Sequence, residues 1–302
     1  MHARVLRYLD EVVRRGSIRK AAEHLHVAPT AVNRQILSLE AELGAPLFER
    51  IHNRLRLTPL GEMVLAHVRS TLREHAVLRE RIAEFKGARR GEITVAATAG
   101  LAGSLLPTLI HEFRQRYPGI ALRVIDLTID EITAAVERGD ADLGLGYDLP
   151  ERAALRTLAA SEWQIGAVVP PRHALARQSS VLLSECIGHP LILPAPPLSI
   201  RTLLADAFAR NAIAVTPVAE STSTTLIRRL VMLGEGVALL NQLDVMEERS
   251  RNALVFVPLR DAHLQRQTLV LLARAKGQLS AAAELLAASI GEALAHLFAG
   301  GR

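Results

Sequence analysis

Apolar positions in the first 58 residues recur at helical spacing in three short runs. The first run ends at two arginines followed by Gly16, a basic last turn and a helix-stopping glycine. Ser17 is placed to cap a second helix, and a short turn at 26–28 leads into a third helix that begins at Pro29. The pattern therefore predicts three helices, the last two joined by a tight turn.

The third predicted helix has an apolar stripe and, at about 100° per residue, a second face that points outward. The stripe comprises Val32, Ile36, Leu39 and Leu43, and the outward face carries Thr30, Asn33, Arg34 and Leu37. An anchored apolar back with short polar groups and an arginine near the amino end suits a helix that enters the major groove of DNA. Any three-helix bundle with a polar face gives the same pattern, so periodicity leaves both interpretations open.

A basic, alternating segment at 48–58 predicts a β-hairpin with Asn53 near its tip. Thr58 then caps, and Pro59 starts, a helix that runs to about Lys86. Its apolar stripe recurs near heptad spacing and comprises Val64, Val68, Leu72, Leu78, Ile82 and Phe85. Such a helix spans about 40 Å, long enough to hold two DNA-binding heads apart. Packing of this helix against its own chain is the alternative.

From residue 92 onward strands and helices alternate, which predicts an α/β body. One set of strands and helices is predicted from 93 to 146 and a second from 163 to 240, the latter including a strand at 215–218. A strand at 267–272 and a helix at 280–298 follow. The glycine-flanked basic stretch at 87–91 predicts a hinge before this body.

Charge is distributed unevenly along the chain. Residues 1–90 hold 17 Lys and Arg against 10 Asp and Glu, a net charge of +7, whereas the rest of the chain carries −2. This asymmetry favours a polyanion-binding first segment. Aromatic residues make up only 3% of the chain, so duplex DNA is favoured over single-stranded nucleic acid, whose binders need stacking platforms.

Composition also limits the chemistry that the chain can support. The one cysteine, Cys186, excludes an internal disulfide, and no tight cluster of Cys and His predicts a zinc site. We expect no metal, no cofactor and no membrane span, and a cytoplasmic location. The amino-terminal segment has arginines among its apolar residues, unlike a secretory signal.

Several stretches of the first 61 residues resemble the DNA-binding signature of the LysR family of bacterial regulators. They are Ser17-Ile18-Arg19-Lys20-Ala21-Ala22-Glu23-His24-Leu25-His26-Val27, Ala31-Val32-Asn33-Arg34-Gln35-Ile36, Leu39-Glu40, Leu43-Gly44, Leu47-Phe48-Glu49-Arg50 and Leu57-Thr58-Pro59-Leu60-Gly61. The sequence departs from the family at Ala28-Pro29-Thr30, where the family usually has Ser-Gln-Pro. The glutamine that commonly contacts a base is therefore missing, which leaves more of the readout to Asn33 and Arg34.

The resemblance implies four parts. They are a winged helix-turn-helix at 1–58, a dimerising linker helix at 59–86, a hinge at 87–91 and an effector-binding domain at 92–302. That domain is expected to resemble periplasmic solute-binding proteins, with lobe I at about 92–161 and 267–302 and lobe II at about 162–266. The implied partners are a double-stranded DNA operator, a small-molecule effector and further copies of the chain, as a homodimer through the linker helix and a homotetramer. RNA polymerase is a further candidate partner.

Two sets of candidate binding residues follow. The DNA-binding candidates are Ser17, Arg19, Lys20, Pro29, Thr30, Asn33, Arg34, Ser38, Arg50, Asn53, Arg54 and Arg56. The effector-binding candidates lie beyond predicted strands or at helix starts, where free N–H groups favour anions; they are Thr98, Ala99, Gly100, Leu101, Thr128, Ser199, Ile200, Arg201 and Thr222. A carboxylate is the candidate ligand, paired with Arg201. Helix capping and surface charge explain the same residues equally well.

An enzyme and a transport solute-binding protein are the competing functions for an α/β body. The sequence has no Gly-x-Ser-x-Gly elbow and no phosphate-binding Gly-x-x-x-x-Gly-Lys motif. Gly144-Leu145-Gly146 is not followed by the third glycine of a dinucleotide site. The DNA-binding head argues against a transport protein, so we expect a regulator that is not an enzyme.

Overall fold

The computed structural model describes residues 3–51, 54–85, 91–261, 264 and 266–300. The chain forms two compact units, one of Met1–Gly87 with Gly277–Ser280 and one of Ala88–Lys276 with Ala281–Arg302. No helix in the described residues combines the length and the apolarity that a membrane span requires.

The first unit is three helices, a hairpin and a long helix. Its elements are α1 (Ala3–Arg15), α2 (Ile18–His24), α3 (Pro29–Leu43), β1 (Phe48–Ile51), β2 (Arg54–Leu57) and α4 (Pro59–Phe85). Glycines in the left-handed region stop α1 and α3, at Gly16 (φ +66°) and Gly44 (φ +70°). Thr58 caps α4, since its Oγ1 accepts from the N–H of Gly61 at 3.0 Å.

Two apolar clusters hold the first unit together. One joins the inner faces of the three short helices and contains Tyr8, Val12, Ala21, Ala22, Val32 and Ile36. The other joins α1 to α4 through Leu9, Leu47 and Val68, with Leu72 packed beside them. Arg69 of α4 also donates to Asp10 of α1 at 2.8 Å, with both side chains largely buried. The helical bundle and the first part of α4 are therefore one folded body.

The packing of α4 revises the predicted role of its apolar stripe. Val68 is 1% exposed and Leu72 packs against the cluster of its own chain. The alternative of intrachain packing therefore holds for the first half of the helix. Leu78 of the second half is 56% exposed. The stripe residues Ile82 and Phe85 lie in α4, but their side chains are outside the described set.

The second unit is α/β with two five-stranded sheets. Its elements are β3 (Gly91–Ala97), α5 (Ala99–Gly103), α6 (Leu105–Arg116), β4 (Ile120–Asp126), α7 (Ile129–Arg138), β5 (Leu143–Tyr147), β6 (Leu155–Trp163), β7 (Ile165–Val169), α8 (Leu183–Cys186), β8 (Leu191–Pro194), α9 (Ser199–Arg210), β9 (Ala219–Ser221), α10 (Thr224–Met232), β10 (Val237–Asn241), α11 (Met246–Ser250), β11 (Val255–Pro258), β12 (Gln267–Arg274) and α12 (Ala281–Gly300), with 3-10 turns at Ala174–Arg177 and Gln242–Val245.

Each sheet is the centre of one lobe. Lobe I has strand order β4-β3-β5-β12-β6, and lobe II has β11-β7-β10-β8-β9. In lobe I, β3 is parallel to β4 and β5, and β12 returns antiparallel to β5. In lobe II, β8 is parallel to β9 and β10. The α/β prediction is confirmed, and β12 lies between β5 and β6 in the sheet of lobe I.

One predicted strand is wrong, and two observed strands were not predicted. No strand forms at 215–218, and the edge strand lies at Ala219–Ser221 instead. Pro217 has no N–H to donate to a ladder, and Val218 is 61% exposed. The strands β6 and β11 were not predicted, because they follow charged or proline-flanked segments where apolar alternation is weak.

Gly61 provides a stability test of the first unit. A Cβ at this position would overlap the carbonyl oxygen of Leu47 and lie 2.9 Å from the Leu57 side chain. We therefore expect Gly61→Ala to destabilise the unit by about 1–3 kcal/mol or more. Gly291→Ala is the control, because the nearest atom to its Cβ is 3.9 Å away and alanine favours a helix interior. Hydrogen exchange measured on peptides from residues 3–85 should accelerate in the first variant only. Unchanged exchange in Gly61→Ala would contradict the packing.

Candidate functional site

The outward face of α3 is polar and exposed. Val32 and Ile36 anchor the helix, at 0% and 3% exposure. Four of the candidate DNA-binding residues are exposed on the opposite side; they are Thr30, Asn33, Arg34 and Ser38. Leu37 on the same face is 55% exposed. One side of α3 is therefore fixed to the core, and the other is available to a partner.

The turn before α3 and the start of α2 hold the next candidates. His26 adopts a left-handed conformation (φ 53°), which makes the turn between the two helices tight. Ser17 is the N-cap residue of α2, although its side chain makes no cap hydrogen bond. Lys20 and Pro29 are exposed, and Arg19 is exposed with an ion pair to Glu23 at 3.2 Å.

The hairpin is tied to α3 through Glu40. Its Oε1 accepts from the backbone N–H of Leu47 at 2.7 Å and of Phe48 at 3.2 Å. Arg56 on β2 is exposed and pairs in register with Glu49 of β1. Arg50 and Arg54 lie in the two strands, but their side chains, like Asn53 as a whole, lie outside the described residues.

A cavity of about 370 Å³ lies between the lobes of the second unit. Its walls come from the carboxyl ends of strands in both sheets and from the helices that follow them, the place where open α/β sheets bind ligands. The lining residues are Thr98, Ala99, Gly100, Asp126, Leu127, Thr128, Ile129, Glu131, Tyr147, Pro197, Leu198, Ser199, Ile200, Thr222, Thr224, Asp244 and Gln267. The volume suits a small molecule.

Seven of the nine effector candidates line this cavity; they are Thr98, Ala99, Gly100, Thr128, Ser199, Ile200 and Thr222. Leu101 does not, because its side chain is 0% exposed in the core of lobe I. Arg201 is also absent from the lining. Its guanidinium pairs with Glu220 of the same lobe at 3.2 Å, so the predicted pairing of Arg201 with a ligand carboxylate has no basis in the cavity walls.

Five polar lining residues were not predicted from the sequence; they are Asp126, Glu131, Tyr147, Asp244 and Gln267. Thr224 ends the stretch 221–224, which the sequence places before a helix. The signal for most of the five was present, because Asp126, Tyr147 and Asp244 end a strand or follow one within three residues. Carboxylates at strand ends occupy the same kind of place as the predicted hydroxyl groups at helix starts. Gln267 was hidden because it begins β12, whose reversed direction brings its first residue to the same edge.

A chain of buried hydrogen bonds joins the lobes at the base of the cavity. The hydroxyl of Tyr147 donates to Oδ1 of Asn241 at 3.1 Å, and Nδ2 of Asn241 donates to Oε1 of Gln267 at 3.2 Å. Nε2 of Gln267 then donates to Oγ of Ser199 at 2.9 Å and to Asp148 at 3.3 Å. Asn241 and Gln267 are 0% and 1% exposed. Since buried polar groups are costly when unpaired, this chain resists separation of the lobes.

Asp244 is the one buried carboxylate among the lining residues. It is 5% exposed, and a Cβ on Gly100 of lobe I would lie 3.1 Å from its Oδ1. Burial raises the pKa of Asp244 to about 6 from its ordinary value of 3.8, opposed by a backbone hydrogen bond from Asn241 and by the charge of Arg228. Burial also raises the pKa of Tyr147 well above 10.

The remaining lining carboxylates are exposed. Glu131 accepts hydrogen bonds from the N–H of Thr128 at 3.0 Å and from its hydroxyl at 2.8 Å, a capping box at the start of α7. These bonds lower the pKa of Glu131. Asp126 is exposed at the end of β4. Within the described residues, no group of three or more His, Cys, Asp or Glu side chains is arranged to hold a metal ion.

Comparison with known proteins gives concordant matches. Residues 3–62 match the bacterial regulatory helix-turn-helix protein, lysR family, and residues 86–295 match the LysR substrate binding domain. The transcriptional regulator CysB of Burkholderia cenocepacia is 30% identical over 254 residues, 83% of this chain and 81% of CysB.

Two solved structures share the fold. A full-length OxyR variant from Pseudomonas aeruginosa superposes with a TM-score of 0.75 at 23% identity, covering 96% of this chain and 94% of that one. Full-length CbnR in complex with its target DNA has a TM-score of 0.61 at 21% identity, covering 97% and 100%.

The raised pKa of Asp244 predicts a pH-dependent stability difference. A carboxyl whose pKa is higher in the folded state contributes stability at low pH that is lost as the pH rises through about 6. Asp244→Asn removes this loss, so the melting temperature of the variant minus that of wild type should increase from pH 4.5 to pH 7.5. The free-energy change is on the order of 2 kcal/mol.

Asp206→Asn, on the exposed face of α9, is the matched control, and its difference from wild type should stay constant. Thermal melts of the three proteins at both pH values make the comparison. A pH-independent difference for Asp244→Asn would mean that the carboxyl is not destabilised by burial.

Proposed function

This chain belongs to the LysR family of bacterial transcriptional regulators, and on that premise we propose which of its surfaces reads DNA and which holds its effector. The proposal assigns sequence-specific contacts to the exposed face of α3, phosphate contacts to the hairpin, and effector binding to the cavity between the two lobes. The observation that carries the proposal is that one face of α3 is polar and exposed while its opposite, apolar face is buried in the core.

The α3 face has the chemistry of a base-reading surface. Asn33 and Arg34 are adjacent and exposed, and their side chains match the donor and acceptor patterns of adenine and guanine edges. The flanking residues are proposed to contact the phosphates and sugars of the DNA; they are Ser17, Arg19, Lys20, Pro29, Thr30 and Ser38. The wing contacts are proposed to come from Arg50, Asn53, Arg54 and Arg56. Because the glutamine that is usual in the family is absent, more of the operator sequence is read by Asn33 and Arg34.

The cavity is the proposed sensor. A ligand that contacts both lobes favours one relative orientation of them, and it shifts the equilibrium only by its difference in affinity for the two states. Ser199, Tyr147 and Gln267 belong both to the cavity wall and to the hydrogen-bond chain between the lobes. A ligand that competes for these groups would therefore act directly on the contact that orients the lobes.

We infer ligand binding rather than thiol oxidation as the signal. Cys186 is buried, and burial raises its pKa to about 12, which suppresses the reactive thiolate. We also infer that the chain is not an enzyme, in keeping with a family of regulators and with the missing catalytic motifs. A solute-binding protein without DNA binding is not favoured, since the helix-turn-helix match covers 3–62.

Self-association is proposed through the second half of α4, with two dimers forming a tetramer. The support is Leu78, an exposed leucine on a helix of 27 residues whose first half already packs on its own chain. An exposed apolar residue at heptad spacing is typical of a coiled-coil seam. RNA polymerase remains a candidate partner of the assembled regulator.

The base-reading role predicts a specific defect for Arg34→Ala. Loss of a bidentate base contact should weaken operator binding by about 1–3 kcal/mol and leave binding to random duplex nearly unchanged. Arg56→Ala should weaken both similarly, because phosphate contacts carry no sequence information. Arg229→Ala, exposed on α10 of the other unit, is the control for loss of charge alone. Equal losses on both duplexes for Arg34→Ala would refute its role in readout.

The proposed seam predicts that Leu78→Asp dissociates the subunits, since a carboxylate is costly in an apolar contact. Ala66→Asp, on an exposed position of the same helix, should leave the mass unchanged. Leu72→Asp should instead destabilise the first unit, because Leu72 packs within its own chain. Sedimentation equilibrium and thermal melts separate the two effects. A wild-type mass for Leu78→Asp would exclude the seam.

A further inference from the structure

The charge of the cavity is opposite to the one that the sequence analysis favoured. Asp126, Glu131 and Asp244 all line it, and none of the seventeen lining residues is Lys, Arg or His. Two arginines that adjoin lining residues form ion pairs outside the wall: Arg201 with Glu220 at 3.2 Å and Arg228 with Glu248 at 3.0 Å, although Nε of each is buried without a hydrogen-bond partner. An anionic ligand would therefore meet three carboxylates and no countercharge in the wall.

Two of the helix starts at the cavity, those of α7 and α10, are occupied by the protein's own acceptors, whereas Thr98 and Leu198 at the starts of α5 and α9 provide no side-chain cap. Glu131 accepts from both the N–H and the hydroxyl of Thr128 at the start of α7. At the start of α10, Oγ of Ser223 accepts from the N–H of Leu226 at 3.2 Å. The free N–H groups that would attract an anion at these positions are already in use.

Asp244 makes the strongest case for a positive group. Its carboxylate is buried at the wall, 3.1 Å from where a Cβ on Gly100 would lie, so the two lobes approach closely on either side of it. Arg228 donates to the backbone carbonyl of Asp244 at 2.9 Å and shares its charge with Glu248. Asp244 has a backbone hydrogen bond from Asn241 but no cationic side chain in the cavity wall, so a cation that enters the cavity would stabilise the buried carboxylate further.

The wall also carries apolar side chains. Leu127, Ile129, Pro197, Leu198 and Ile200 contribute carbon surface to both lobes. This combination suits a molecule with a charged end and a hydrocarbon body. A bare inorganic cation would leave most of the 370 Å³ unfilled.

Resting on the proposed function of the cavity, we infer that its effector is a small organic amine, bound as an ammonium with its hydrocarbon part against the apolar wall. The ammonium lies toward Asp244 and Asp126, and its N–H groups donate to their oxygens. The threonine and serine hydroxyls of the wall supply further acceptors. The carboxylate ligand expected from the sequence is not supported by this lining.

Three probes of one shape test the charge preference in the full-length chain: cyclohexylmethylamine, cyclohexylmethanol and cyclohexanecarboxylate. Affinities are measured at pH 7.5 and low salt by ligand-observed NMR titration. The amine should bind about tenfold more tightly than the alcohol, and the carboxylate most weakly. Asp244→Asn and the exposed Asp126→Asn should each weaken amine binding several-fold and leave the alcohol within about twofold. Asp206→Asn, remote from the cavity, should change neither.

Each other outcome overturns a distinct part of the account. Carboxylate binding as tight as amine binding refutes the charge assignment and leaves the cavity as the ligand site. Amine binding that neither aspartate variant alters places the ligand elsewhere and refutes the inference. No binding of any probe at 20 mM refutes it and also counts against the cavity as a sensor. Operator binding by the same protein preparations is measured in a separate experiment. A loss of DNA binding is therefore distinguished from a loss of ligand binding.

Discussion

The buried amide of Gln267 is the interaction on which the geometry of the second unit depends. It stands where β12 crosses back to lobe I, and it bonds to Asn241 and Ser199 of lobe II and to Asp148 of lobe I. Because the Gln267 side chain is 1% exposed, bulk water does not reach it to replace these hydrogen bonds, and losing them would leave a buried amide unpaired. The relative position of the lobes, and with it the shape of the cavity, follows from this arrangement.

The same constraint links ligand binding to lobe orientation. Ser199 and Tyr147 line the cavity and also take part in the hydrogen-bond chain between the lobes. A ligand that forms hydrogen bonds with these hydroxyl groups therefore competes with the contact between the lobes. The buried Asp244 also lines the cavity, and burial raises its pKa to about 6 in spite of a backbone hydrogen bond from Asn241 and the charge of Arg228. A ligand that neutralises the Asp244 carboxylate would stabilise the lobe arrangement in which it is enclosed. This is the physical basis on which we propose coupling between effector and DNA.

The sequence predicted α3, the capping of α4 by Thr58 and seven of the cavity residues from local rules of helix periodicity and strand ends. The charge of the site was not predicted, because it depends on long-range pairing. Arg201 is neutralised by Glu220, nineteen residues away, and Gln267 reaches the cavity through the antiparallel return of β12. The role of Leu72 was likewise undetermined, since heptad spacing does not distinguish a partner chain from the chain's own α1.

We propose that the polar face of α3 reads duplex DNA in a symmetric assembly. The test is selection from a library of random duplexes by the full-length chain, followed by sequencing of the bound fraction. We expect enrichment of a motif with inverted symmetry whose bases change when Asn33→Ala or Arg34→Ala is used for the selection. Failure to enrich any motif, or an identical motif from wild type and both variants, would contradict it.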